Sequence, residues 1–293
     1  MPVNPENNAC IKCCFVKRSC PFETNYKHMK KHFILISILI HQVSFSFSQE
    51  SENGETKPML TDRPDQTESA LTVPRGTFQV ETGIIVENNE TNSERYTGVT
   101  YNTSLIRFGI LDNLEFRAGT SVLRLTIESL DTQDENVLQG LTPFGVGTKI
   151  AIAEEEKILP AMALITMLTL PQTGDIEFQQ PHISPSMILA MSKTISPRYS
   201  AGANLGLSWN GEDAFIETFY SLVLGGEIMK RMGAFIELYG FLPEDETGDH
   251  RFDAGITYLV LDNLQFDISS GVGINDPAPD YFVSFGLSLR LPG

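Results

Sequence analysis

Cysteine is scarce and confined. The 293 residues hold four, Cys10, Cys13, Cys14 and Cys20, and none follows. A disulfide framework or a thiol nucleophile is therefore excluded from the remainder of the chain. The C-x2-C-C-x5-C spacing has no helical or strand pattern around it, so it is not read as a metal cluster, and no cofactor is expected. Histidine is nearly as sparse, with only His182 and His250 beyond residue 48. Positive charge is also short: 21 Lys and Arg face 37 Asp and Glu, for a formal charge of -16. Such a chain repels nucleic acid. Long apolar runs are missing too. Phe33 to Ile40 is too short to cross a bilayer as a helix, and no window carries helical periodicity or a βαβ rhythm.

The first fifty residues have the layout of an export signal. Met29-Lys30-Lys31-His32 precedes the apolar run, and Ser46-Phe47-Ser48 offers small residues for cleavage before Gln49. All four cysteines lie upstream of that signal, so residues 1–28 are expected to be an extension that is not translated, with the signal at 29–48. Losing residues 1–48 removes six basic and two acidic residues, leaving 15 basic, 35 acidic and a charge of -20. Together with the strand pattern below, this export signal leads to the expectation of a Gram-negative outer membrane.

What the chain has in abundance is alternation. In Arg251 to Ile274, Phe252, Ala254, Ile256, Tyr258 and Val260 alternate with polar or small residues, and Leu264, Phe266, Ile268, Val272 and Ile274 do so again after Leu261-Asp262-Asn263. A period of two means that one face meets an apolar phase and the other meets water. Leu111-Asp112-Asn113 repeats the turn. Asp and Asn suit a tight hairpin because they tolerate left-handed backbone.

Twelve strands are expected after the polar segment 49–76, making 77–293 one barrel. They fall near 77–87, 96–110, 114–125, 142–153, 159–170, 183–193, 199–209, 215–228, 232–241, 251–260, 264–274 and 280–291. Connections alternate. Those at 88–95, 126–141, 171–182, 210–214, 242–250 and 275–279 are long and polar; those at 111–113, 154–158, 194–198, 229–231 and 261–263 are short. This is the rhythm of an all-β, transmembrane, up-and-down antiparallel barrel with short turns in the periplasm. Strand length agrees with a tilted bilayer crossing. One face carries apolar residues such as Leu114, Phe116 and Ala118. The other carries Glu115, Arg117 and Gly119, which a dry soluble core would not accept.

The residues 105–121 (LIRFGILDNLEFRAGTS), 145–156 (GVGTKIAIAEEE), 168–175 (LTLPQTGD), 204–211 (NLGLSWNG) and 61–69 (TDRPDQTES) together resemble the outer-membrane transporter family labelled "putative MetA-pathway of phenol degradation", in its Bacteroidetes forms. The resemblance covers about 60–291. It implies a monomeric barrel that sits in outer-membrane lipid, is inserted by the barrel assembly machinery and passes small solutes, aromatic or apolar compounds among them; it carries over no catalytic residues. One departure is the ending Leu289-Arg290-Leu291-Pro292-Gly293, where outer-membrane barrels often close on an aromatic residue.

Charges assigned to the inner face are the candidate functional residues: Glu81, Arg107, Glu115, Arg117, Lys149, Glu237, Asp253 and Asp267. They either pair with one another and stiffen the interior, or form a lining that sorts solutes by charge. Five acids against three bases predict an open pore favouring cations or neutral solutes, with Asp253→Asn and Asp267→Asn each weakening that preference. Thr61 to Ser69 is expected to strap the periplasmic side of the barrel; the other reading tucks it into the pore mouth. Catalysis finds little support. His182 with Ser184 is the nearest approach to a lipid hydrolase, and a non-conducting surface scaffold is the remaining alternative. Asp131 to Glu135 and Glu244 to Asp249 do not form a calcium loop, and no metal site is expected.

Overall fold

The computed structural model of the protein describes residues 59–212 and 215–291; the expected signal, the stretch before it and residues 49–58 lie outside the described residues. These residues form a closed antiparallel barrel of twelve wall positions. In chain order the strands are β1 (Phe78–Glu90), β2 (Glu94–Leu111), β3 (Leu114–Ser129), β4 (Glu135–Leu141), β5 (Gly145–Ala153), β6 (Ala161–Thr169), β7 (Ser184–Thr194), β8 (Tyr199–Trp209), β9 (Ile216–Met229), β10 (Met232–Pro243), β11 (Asp249–Leu261), β12 (Leu264–Gly273) and β13 (Tyr281–Leu291). Neighbours in sequence pair around the wall, and β1 closes it on β13 with Phe78 opposite Leu291.

Twelve positions hold thirteen strands because β3 has two partners. Its first part, Leu114 to Gly119, pairs with β5, and its second, Val122 to Glu128, pairs with β4. The expected strand 142–153 is thus corrected to 145–153, with a separate β4 before it. Pro143 sits in the break, as befits a residue that cannot donate to a ladder. Beyond Thr169 the free edge of β4 meets the connection to β7, where Asp175 binds Leu141 through both main chain and side chain.

Burial is inside out relative to a soluble protein, and this identifies the solvent of each face. On β12, Gln265, Asp267 and Ser269 are buried while Phe266, Ile268 and Val272 are exposed. On β10, Glu237 is buried and Ile236 and Leu238 are exposed. Apolar residues turned outward around the whole wall fit hydrocarbon, and the ladders from β1 against β13 round to β2 against β3 pair the backbone of the closed wall.

Two expectations about connections change. The Asp112-Asn113 and Asp262-Asn263 turns form, but neither residue pair has positive φ; bulges at Gly109/Leu111 and Leu259/Leu261 supply the twist instead. Left-handed backbone appears at Arg231 in the β9–β10 turn. The connection expected at 88–95 shrinks to residues 91–93, because β1 and β2 continue past the length a bilayer needs. The contrast between a turn rim and a loop rim survives at β6–β7, whose connection spans 170–183, and at β12–β13, whose connection spans 274–280.

Candidate functional site: a charged strap inside the lumen

Residues 59–76 do not lie against the rim. They enter the barrel at the turn rim, circle through the lower half of the lumen and leave at the same rim, so the expected periplasmic strap is corrected. At its start Leu60 accepts a hydrogen bond from Gln79, and Thr61 accepts one from Gln265. At its end Thr72 binds Asp112, and Arg75 bridges to Gly109. The physical reason is electrostatic: the barrel's buried charges have no other sufficient partners.

Asp62 is the centre. Its carboxylate lies 3.0 Å from Arg107, 3.0 Å from Arg117 and 2.8 Å from Lys149, which stand on β2, β3 and β5. Arg107 also binds Glu81 at 2.9 Å and Glu115 at 2.8 Å. Glu68 holds Arg117 at 2.8 Å while its main chain is clamped by Asn204. On the far wall the main chain of Gln66 and the hydroxyl of Thr67 donate to Glu237, and Thr67 reaches Ser221. Near the exit Ala70 meets Ser192, and Val73 donates to Glu115.

Arg63 anchors the strap on β1 and β13. Bulges between Glu81 and Ile84 on β1, and between Tyr101 and Ser104 on β2, flank the place where it enters. Asn102 adopts φ 51° there, and Thr103 accepts from Arg63 at 3.0 Å. Arg63 also donates to Asp267 at 3.2 Å and Ser284 at 2.9 Å. The guanidinium lies over Gly83 and Gly286, where any Cβ would meet it. Gly286→Ala should therefore leave the wall intact and loosen the strap by about 1.5–3 kcal/mol, the worth of a hydrogen bond to a charged group. Faster amide exchange confined to residues 59–70 is the expected result; unchanged protection would show that Arg63 is not an anchor.

All eight inner-face charges point inward and are buried. Arg107, Arg117 and Lys149 come together with Glu81 and Glu115 around Asp62, whereas Glu237, Asp253 and Asp267 stand apart on the other wall. Asp253 faces Glu237 across the β10–β11 ladder, and neither of its carboxyl oxygens receives a donor from the described residues. Adding the strap's Asp62, Asp65 and Glu68 against Arg63 changes the sum over these eight wall charges from -2 to -4. Sequence reasoning missed these strap residues as lumen partners. The signal available was the density of charge in Asp62 to Glu68, three acids and one arginine in seven residues ahead of strands whose inner face carries Arg107, Arg117 and Lys149.

Ser184 and His182, the nearest approach to a hydrolase pair, have the following partners. Ser184 is buried toward the lumen and its hydroxyl donates to Gln180, while the main chain of His182 donates to Gly211. Among the described residues no three acidic or histidine side chains converge on a metal position, and no helix is long and apolar enough to cross a membrane. In the turn after β5, hydrogen bonds from Lys193 and Thr194 hold the Glu155 carboxyl below its ordinary range.

A solved outer-membrane channel shares this architecture. The structure of an outer membrane channel from Pseudomonas putida F1 superposes with a TM-score of 0.63 at 9% identity, covering 76% of this chain and 98% of that one. The β-domain of the Bordetella autotransporter BrkA gives 0.48 at 11% identity, with 73% and 99% covered. A monoaromatic hydrocarbon channel, CymD, gives 0.41 at 8% identity, with 75% and 89% covered. No curated protein matches the sequence. The family described as "Putative MetA-pathway of phenol degradation" matches residues 61–291. That span is most of the chain and contains both the strap and the wall, so the protein belongs to this family of outer-membrane β-barrels.

Proposed function

We propose that the protein is a monomeric outer-membrane channel for passive uptake of small solutes, aromatic or apolar compounds among them, with its turn rim toward the periplasm. The observation that carries this reading is the closed wall with a buried, charged inner face, a design that encloses a path across a membrane rather than an outward catalytic surface. The family's association with phenol degradation supports the solute class.

The lumen sets the charge preference. A net of -4 over the eight wall charges and the strap, in a confined, weakly screened space, repels anions, and the strap makes the field more negative than the wall alone. Reversal potentials in a salt gradient should show preference for cations. Asp253→Asn should weaken it by removing one uncompensated charge. Asp267→Asn should weaken it further, because it also frees Arg63 from its acidic partner. Anion preference in the parent protein would overturn the selectivity assignment, and absence of both conductance and solute uptake would leave a scaffold as the better reading.

A further inference from the structure

The loop-rim half of the lumen carries a feature that the charge argument leaves untouched. On β9 and β10 the inward phase changes from charged to aromatic just beyond the strap's contacts with Ser221 and Glu237: Phe219, Tyr239 and Phe241 follow in the next positions. Phe219 and Phe241 face one another across the ladder with ring centroids 5.3 Å apart, and Tyr239 meets Phe241 edge-on at 6.1 Å. Arg251 of β11 lays its guanidinium over Tyr239 at 6.0 Å and over Phe241 at 5.6 Å.

That guanidinium is locked. Its Nε and Nη2 donate to Asp249 at 2.8 and 2.5 Å, and Nη1 reaches across to Glu87 at 2.9 Å. Each of its three nitrogens donates to an acid, and it turns a flat face to the rings. The surrounding acids Glu87, Asp249 and Glu217 outnumber it three to one. A carboxylate is repelled here.

The rings differ in how they are covered. Tyr239 is buried, whereas Phe219 and Phe241 are only half-buried although both point inward. Gly206 is Phe219's neighbour on β8, and Gly271 and Gly273 are the inward residues of β12 nearest Arg251. Ile188 packs over Gly206, and Phe282 and Ala278 over Gly271 and Gly273, so the aromatic side is walled by apolar groups while Phe219 and Phe241 keep part of their ring surface exposed. Edge and face contacts between rings are favoured over contacts with a saturated ring of equal size.

We propose that Phe219 and Phe241, backed by Tyr239 and Arg251, form a binding site for a neutral single-ring aromatic solute at the loop-rim side of the strap. The site deepens the channel reading and relies on it only for the solute's route onward. Phenol, cyclohexanol and benzoate separate the contributions, since the first two share size and hydroxyl and the third keeps the ring but adds negative charge. Calorimetric titration of the protein in lipid nanodiscs should find phenol bound about three- to tenfold more tightly than cyclohexanol, and no benzoate binding. Phe219→Leu with Phe241→Leu should abolish the difference; should the pair fail the heat-dependent gel shift of a folded barrel, Phe219→Leu alone should reduce it. Equal binding of phenol and cyclohexanol, strong benzoate binding, no phenol binding, or variants that keep the preference would overturn the site. Conductance in the same preparation distinguishes the two claims. Phenol preference without conductance removes the channel and keeps the site, whereas conductance without phenol preference does the reverse.

Discussion

Deleting residues 59–72 is expected to raise single-channel conductance several-fold while the barrel persists. The wall closes through its own ladders, from β1 against β13 to β2 against β3, without the strap. The strap, in contrast, crosses the lumen between opposite walls, from Arg63 on Asp267 to Thr67 on Glu237 and Glu68 on Arg117. A twelve-stranded bore lies between barrels filled by side chains and wide aqueous porins, so one extended segment occupies much of its section. Bilayer recordings provide the comparison, with the heat-dependent gel shift confirming the fold. A reversible version follows from the 2.7 Å contact between Thr67 and Ser221. Thr67→Cys with Ser221→Cys places two thiols in a chain that has no cysteine after Cys20. If oxidation left conductance unchanged relative to the reduced pair, and deletion also left it unchanged, the strap would not control the path.

The wall was legible in the sequence because a barrel strand states its two solvents residue by residue. Leu264 to Gly273 alternates between chain positions for lipid and lumen with no help from its neighbours, and the same holds for β8 and β13. The strap was not legible because its register is written nowhere locally. Asp62 has partners on β2, β3 and β5, and Thr67 has partners on β9 and β10. Only closure of the barrel brings those strands to one level. The aromatic side of the lumen was hidden for a different reason: Phe219, Tyr239 and Phe241 sit in strands whose outward phase is also apolar, so hydropathy cannot tell the two faces apart.

The second large effect separates two buried acids, Asp62 on the strap and Asp253 on the wall. Asp62→Ala removes the one carboxylate among the described residues that touches Arg107, Arg117 and Lys149 together, and it also removes the acceptor for the main chain of Ser69. Three cations then share Glu81, Glu115 and Glu68, and the loss of one member of a buried ionic network costs about 3–5 kcal/mol. That loss should appear as release of the strap, with protease cleavage between residues 59 and 72 and a conductance approaching that of the deletion. Asp253→Asn should act in the opposite direction. Its two oxygens receive no donor from the described residues and face the Glu237 carboxylate, so an amide removes a repulsion and supplies a donor to Glu237. Thermal unfolding of the variant should be unchanged or shifted upward, consistent with a gain of about 0.5–1.5 kcal/mol for one new hydrogen bond. The argument would fail if Asp253→Asn released the strap as Asp62→Ala does, because Asp253 would then be a partner of the strap rather than a charge tolerated beside it.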